Sequence, residues 1–121
     1  MDLAHNKIGN SGARKIAKYI LQTQILTHLN LNDNCISYDG SRFLAQALKV
    51  NKSLISLNLG LNRLDDKAGS KLCLDLLNNN SGLNFIGLSA NQLGNMFCES
   101  LAEFVNVNES IQSVDVSCNN I

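Results

Sequence analysis

Two residues, His5 and Asp33, have the types and the spacing that acid–base chemistry would need. They occupy the same phase of a repeating pattern, so we expect their side chains to lie about 5 Å apart, which is one strand spacing. An imidazole next to a carboxylate can act as a general base when a nucleophile and an oxyanion donor lie beside it. The sequence indicates neither, so we expect a surface contact and no enzyme activity.

Four cysteines could form a disulfide or hold a zinc ion: Cys35, Cys73, Cys98 and Cys118. A Cys-x-x-Cys pair is typical of zinc sites, and these cysteines include none. Cys73 falls in an apolar helical pattern, where a thiol acts as a small hydrophobic group. We expect free, inert thiols, with a disulfide or a zinc site as the alternatives. No cofactor is expected, because Gly9 and Gly12 are not followed by the residues of a phosphate-binding loop.

Three Asn-x-Ser sequences begin at Asn51, Asn79 and Asn108. They could accept glycans, which would require a secretory route. All three share one phase of the repeat, just ahead of a predicted strand, which favours a structural role in the loop that joins helix to strand.

The elements that position all these residues follow from an asparagine that recurs every 28 or 29 residues. Each asparagine stands in an apolar frame of the form Leu-x-x-Leu-x-Leu-x-x-Asn-x-Leu, as in Leu54 to Leu64. This pattern is that of a leucine-rich repeat. We expect the asparagine amides to satisfy backbone groups at the turn after each strand and to stack in a ladder, which comprises Asn6, Asn34, Asn62, Asn91 and Asn119.

The frame predicts an α/β solenoid in the shape of a horseshoe, with a parallel concave β-sheet and convex α-helices, built from about four repeats. Apolar residues after each asparagine recur with helical spacing and predict one buried stripe on each helix, which in the last helix includes Ala102 and Val105. The pattern resembles the ribonuclease-inhibitor-like class. Gly82 is the expected site of the one extra residue of the third repeat. We expect residues 1–121 to form a single domain that is a fragment of a longer solenoid and lacks both caps.

The charges are distributed unevenly along the chain, although the formal net charge is zero. All Lys and Arg residues lie between Lys7 and Lys71, and from Asp75 onward there are acids and no bases. The basic residues of the first helix have no interleaved aromatics, so nucleic-acid binding is not expected. No apolar run approaches the ~20 residues that span a bilayer, and there is no secretory signal. We expect a cytoplasmic protein without membrane contact, whose uncapped ends favour self-association.

Leucine-rich repeats bind through surfaces, and the residues between the strand leucines form the concave surface. Phe85 and Leu61 are apolar where the fold does not require it, which predicts anchors for a protein partner. The alternative for Phe85 is packing against its neighbours. The predicted partner-binding residues are His28, Asn30, Asn32, Ser56, Asn58, Leu61, Phe85, Ser89 and Asp115.

Residues 54–66 and 108–119 resemble the leucine-rich-repeat subunit of the nexin-dynein regulatory complex of motile cilia, the t-complex-associated testis-expressed type. This resemblance implies a non-enzymatic scaffold in the ciliary axoneme. Other ribonuclease-inhibitor-like proteins include activators of the small GTPase Ran and the sensor domains of nucleotide-binding innate receptors. The alternative function is therefore that of a GTPase-activating leucine-rich-repeat protein, which would need a catalytic Asn or Arg on the concave rim.

Overall fold

The computed structural model describes residues 1–76 and 82–121. Helices and short strands alternate along these residues in the order α1 (Gly9–Gln22), β1 (His28–Asn30), α2 (Tyr38–Leu48), β2 (Ser56–Asn58), α3 (Asp66–Leu76), β3 (Phe85–Gly87), α4 (Asn95–Val107) and β4 (Ser113–Asp115). The four strands form one parallel sheet in the order in which they occur in the sequence. The predicted α/β leucine-rich-repeat solenoid is confirmed.

The sheet register follows the repeat frame. Leu29 pairs with Leu57, Leu57 with Ile86, and Ile86 with Val114. Because strand side chains alternate, this register turns the central residue of each strand toward the helices. The residues on either side face away from them, and their side chains form the concave surface.

The core lies between the sheet and the helices. The frame residues Leu31, Leu59 and Leu88 are at most 1% exposed, and the helical stripe contributes residues such as Leu44 and Leu72. Burying such side chains contributes about 1.5 to 3 kcal/mol each, so stacked repeats stabilise each other where a single repeat could not.

Helix α4 presents a different face to the core from the one that the repeat pattern predicts. The pattern places Ala102 and Val105 in the buried stripe, but both are exposed, whereas Phe97 and Phe104 are buried. These two rings are seven residues apart and therefore lie on one side of the helix. The prediction for Ala102 and Val105 is wrong because the two large rings determine which side of α4 packs inward.

Phe97 fits against a glycine of the preceding repeat. A Cβ atom added to Gly69 would lie only 2.8 Å from Cδ2 of Phe97 and 2.5 Å from Cδ2 of Leu93. The missing side chain of Gly69 thus provides the space for the ring, which is fully buried.

The repeat asparagines form a continuous series of hydrogen bonds that joins neighbouring repeats. Oδ1 of Asn62 accepts the backbone N–H of Asn34 and of Ile36, at 3.2 and 2.9 Å. Its Nδ2 donates to the backbone carbonyls of Leu31 and Leu59. Asn34 and Asn119 also accept two backbone N–H groups each, and Asn91 accepts that of Leu64. All three donate to backbone carbonyls. In Asn6, Nδ2 donates to Leu3 and Ala4 within its own turn.

Two helices are capped by residues of the repeat before them. Oδ1 of Asn10 accepts the N–H groups of Ser37 and Gly40 at the start of α2. The carboxylate of Asp66 has the same role at the start of α4. Since the first N–H groups of a helix have no partner within it, these bonds tie each of the two helices to its neighbour.

Candidate functional site

A shallow hollow of about 380 Å³ opens on the concave face of the first three strands. Five of the nine predicted partner-binding residues line it, together with Met1, Asp2 and Leu29; these five are His28, Asn30, Ser56, Asn58 and Phe85. The other four, Asn32, Leu61, Ser89 and Asp115, lie outside its lining. The predicted partner-binding residues thus fall into two groups: five that line the hollow and four that lie outside it.

The asparagines of the hollow have a fixed orientation. Oδ1 of Asn30 accepts the backbone N–H of Asn32 at 3.1 Å, and Oδ1 of Asn58 accepts that of Gly60 at 2.9 Å. In the described part of the chain, Nδ2 of Asn30 and Nδ2 of Asn58 have no acceptor within hydrogen-bond distance. The hollow thus presents two amide donors that the fold does not use.

Phe85 is half-buried, so its ring is neither a core residue nor a fully exposed anchor. Its Cε1 atom would lie 3.3 Å from a Cβ atom on Gly87, and Oδ1 of Asn58 would lie 2.7 Å from the same point. The ring therefore leans over the glycine beside the amide of Asn58. One side of Phe85 is covered by its neighbours, and its remaining surface forms an apolar wall of the hollow.

Leu61 differs from Phe85 in being 53% exposed, and its φ is +51°. Ser56 is the sheet partner of Phe85, and Leu61 follows Ser56 by five residues, so the two apolar side chains are on the order of 15 Å apart. Phe85 and Leu61 therefore do not form one continuous apolar patch.

The backbone of Leu61 belongs to a column of left-handed residues, one in each repeat, which we call the left-handed column. Its members have φ between +51° and +61° and none is a glycine: His5, Asp33, Leu61, Ala90 and Cys118. Left-handed backbone is unfavourable for residues with a side chain. A bond to the next repeat holds it here, because the N–H of Leu61, for example, donates to the carbonyl of Ser89 at 2.9 Å.

Asp115 closes the row of concave residues at β4. Its carboxylate accepts the hydroxyl and backbone N–H of Ser117 at 2.7 and 3.0 Å. These two bonds, with a smaller contribution from Ser89, outweigh partial desolvation and hold the pKa of Asp115 below its ordinary value. Asp115 is consequently ionised at neutral pH and gives this end of the face a negative charge.

His5 and Asp33 lie side by side, with Nδ1 of the imidazole 2.8 Å from the carboxylate. Both side chains are more than half exposed. An open position of this kind gives neither group the desolvated environment that tunes a catalytic acid or base, and the arrangement is that of a surface contact.

A second hollow, of about 350 Å³, lies among the loops that lead from α1 and α2 to the next strands, and sequence reasoning did not find it. Leu21 and Val50 line it and are at least half exposed. The nearby Ile25 is 86% exposed. The available signal was the position of these three apolar residues outside the repeat frame.

Asn51, the first of the three Asn-x-Ser asparagines, is built into the structure. Its Nδ2, the atom to which a glycan would be attached, donates to the carbonyls of Ile20 and Thr23 at 2.8 and 2.9 Å. Oδ1 of Asn108 holds the equivalent loop of the last repeat. Asn79 lies outside the described residues. At Asn51 the structural role in the loop is the one observed.

The four cysteines are free thiols. Burial raises the pKa of the Cys73 thiol to about 12, which keeps it protonated at neutral pH. Within residues 1–76 and 82–121, no group of three or more His, Cys, Asp or Glu side chains could hold a metal ion. No helix in these ranges is both long and apolar enough to cross a bilayer.

The sequence model of the family described as "Leucine Rich repeat" matches residues 1–17, 24–45, 50–73 and 107–121, which is more than half of the chain. The chain belongs to the leucine-rich-repeat family. Its similarity to ribonuclease inhibitor from Sus scrofa, at 30% identity over 120 residues, supports the ribonuclease-inhibitor-like class. That match covers 98% of this leucine-rich-repeat chain and 26% of the inhibitor.

Other relatives carry the same repeats in longer proteins. NACHT, LRR and PYD domains-containing protein 12 of Mus musculus is 37% identical over 78 residues, which are 64% of this chain and 7% of that protein. The chain thus spans about a quarter or less of the length of these relatives. Among solved structures, Leiomodin-1 Actin-Binding Site 2 superposes with a TM-score of 0.85 at 19% identity, over 95% of this chain and 69% of that one. This last likeness concerns the fold.

Proposed function

We propose that this leucine-rich-repeat chain is a non-enzymatic interaction module that binds a protein partner through its concave sheet face. The observation that carries the proposal is the pair of unused amide donors, Asn30 Nδ2 and Asn58 Nδ2, in a hollow whose apolar wall is Phe85. A hollow that combines oriented polar groups with an aromatic wall is typical of a binding site.

Leu61 supports the same face as a contact surface. Leu61 is 53% exposed and does not belong to the hydrophobic core, so its apolar side chain is available to a partner. The similarity to a ribonuclease inhibitor supports this proposal, since that relative is named for its action on a protein.

The experiment is quantitative affinity capture with two matched surface variants. Ser56→Arg together with Ser113→Arg places two long cations on the concave face, where Ser56 is half-buried and Ser113 exposed. Arg14→Glu together with Lys18→Glu alters two exposed residues of α1 on the convex side. Proteins that bind the concave face should be lost from the first variant and retained by the second. The reverse result would assign binding to the helices.

The placement in a ciliary axoneme, the GTPase-activating alternative and self-association stay predictions from the sequence. GTP hydrolysis by small GTPases, measured with and without the chain, separates a GTPase activator from a binding module. A cytoplasmic location stays a prediction as well.

A further inference from the structure

We propose that the occupant of the concave face is an α-helix of the partner that lies across the strands. This helix carries a basic residue at each end, uncharged hydrogen-bond acceptors at two central positions and an aliphatic residue beside them. The inference rests on the proposed function and specifies the chemistry of the partner.

The surface that selects this helix is a single row of residues, which we call the concave row. Sheet register and one additional bridge place its members next to each other, one from each successive turn of the solenoid: Asp2, Asn30, Asn58, Gly87 and Asp115. From Asp2 to Asp115, the row therefore contains an acid, two amides, a glycine and a second acid.

The spacing of the row matches a helix better than an extended peptide. Parallel strands are ~4.8 Å apart, and side chains on one extended face recur every ~6.6 Å. Side chains one turn apart on a helix recur every ~5.4 Å. Over the three intervals from Asn30 to Asp115 the mismatch is roughly 2 Å for a helix and roughly 5 Å for an extended chain. A straight helix can therefore stay close to register with the row from Asn30 to Asp115.

The amides determine what the centre of the helix carries. Because Oδ1 of Asn30 and Oδ1 of Asn58 are held by backbone N–H groups, each side chain offers its Nδ2 as a donor, which requires an acceptor on the partner. The N-terminal ammonium of Met1 lies beside Asp2 and offsets its charge, but the ionised Asp115, two strands from Asn58, would repel a carboxylate acceptor. An uncharged acceptor, such as the amide oxygen of glutamine, is favoured instead.

The remaining members determine the other positions. Gly87 is buried, and the amide of Asn58 and the ring of Phe85 fill the space that a side chain there would take. The partner therefore meets the half-buried ring of Phe85 at this position, and an aliphatic side chain can pack against it. Asp115 is ionised at neutral pH, and the hydrogen bonds from Ser117 hold its pKa below the ordinary value. With Asp2 at the opposite end of the row, it favours a lysine or an arginine at either end of the helix.

A synthetic helical peptide tests this inference directly. The probe is a fluorescently labelled, alanine-based peptide that carries lysine, glutamine, glutamine, leucine and lysine on one face, each one turn after the last. Its binding is measured by fluorescence anisotropy at low salt. Two comparison peptides have alanine in place of both glutamines or glutamate in place of both lysines. We expect both to bind about tenfold more weakly, since two hydrogen bonds or two ion pairs are lost.

Protein variants identify the contact residues. Asn30→Ala with Asn58→Ala should weaken binding of the glutamine peptide about tenfold and leave the alanine peptide unaffected, whereas Asn106→Ala, an exposed asparagine of α4, should change neither. Asp115→Lys should shift preference toward the glutamate peptide. Circular dichroism shows whether each variant is folded. If a variant does not fold, the comparison of the three peptides on the unaltered protein still tests the inference.

Equal binding of all three peptides, or the absence of a charge preference at Asp115, would overturn the helix inference. The proposed function survives that outcome if Ser56→Arg with Ser113→Arg still removes proteins from the affinity capture. If those substitutions also have no effect, the concave face is not the binding surface and both proposals fail.

Discussion

The carboxylate of Asp66 accepts a 2.7 Å hydrogen bond from the backbone N–H of Phe97, one repeat further along the chain. It also accepts the N–H groups of Gly94 and Met96. Partial desolvation opposes ionisation, but the three backbone bonds outweigh it and lower the pKa of Asp66. The N-cap residue of α4 is Gly94, which has no side chain to cap the helix itself.

Replacing Asp66 by alanine should lower the melting temperature of the protein by several degrees, because three N–H groups at the start of α4 lose their acceptor. The measurement is thermal unfolding followed by circular dichroism. Asp39→Ala is the matched control, since Asp39 is an exposed acid in the first turn of α2. Equal losses in the two variants would show that Asp66 acts only as a helix-end charge.

Asn62→Ala should lower the free energy of unfolding by about 1 to 3 kcal/mol, the cost of leaving buried polar groups unpaired. Asn62 is 8% exposed and makes five bonds to backbone groups. Denaturation in urea measures the change. The exposed Asn106, replaced in the same way, should give a midpoint close to that of the unaltered protein, and a similar shift in both would contradict the role of the ladder.

Asp75 should make stability depend on pH in the acidic range. Its side chain is 8% exposed and lies 2.7 Å from Lys71 and 3.0 Å from Lys49. Burial acts to raise its pKa, but the two lysines outweigh burial and lower it. Because the folded-state pKa is the lower one, the stabilisation is complete above the unfolded-state value of about 3.9 and is lost as the pH falls through the folded-state pKa.

The Asp75→Asn variant should therefore be less stable than the unaltered protein at neutral pH, and the difference should shrink below about pH 4. Chemical denaturation at a series of pH values measures it. Glu103→Gln, which alters an exposed acid of α4, provides the control. A difference that is constant with pH would exclude the ion pairs as its cause.

Gly69 and Phe97 should be energetically coupled. Gly69→Ala places a methyl group against the ring and should cost about 1 to 3 kcal/mol through overpacking, and Phe97→Ala should cost about 3 to 5 kcal/mol through the cavity. The double variant should lose less than the two single losses together, because removal of the ring relieves the contact of the methyl group with Phe97, while its contact with Leu93 persists. Strict additivity would disprove the packing argument.

The cysteines should differ in their reactivity. At mildly alkaline pH, the exposed Cys118 should react with a thiol reagent within the folded protein, whereas Cys73 should react only after denaturation, since its pKa is about 12 and it is buried. Mass spectrometry of the labelled peptides distinguishes the two sites. Rapid labelling of Cys73 in the folded state would show that α3 opens locally.

The repeat frame predicts the fold because each apolar position recurs in four repeats. An exception in one repeat therefore does not obscure the period. Ala102 and Val105 show the limit of this reasoning. Their column is buried in the other repeats, but in α4 the rings of Phe97 and Phe104 occupy the core. Which side chains fill the core depends on their volumes and on three-dimensional packing. Aligning the repeats in the sequence does not show this.

For the candidate site as well, the sequence predicts some features and not others. The alternation of strand residues predicts that Asn30, Asn58 and Phe85 share one face. It does not predict that the two amide oxygens are held by local backbone groups, or that Phe85 leans over Gly87. These details depend on rotamers and on the absent side chain of a neighbour, so the chemical preference of the hollow emerges only from the structure.

The left-handed column has a consequence for how such a solenoid can change. Histidine, aspartate, leucine, alanine and cysteine all occupy the same backbone conformation, and in the first four repeats the N–H of this residue donates to a carbonyl of the next repeat. Side-chain identity at these positions is thereby separated from the requirements of folding. Substitutions there can alter the chemistry of the concave margin at little risk to the scaffold, which makes the column a natural place for new specificities to arise by mutation or to be selected from a library.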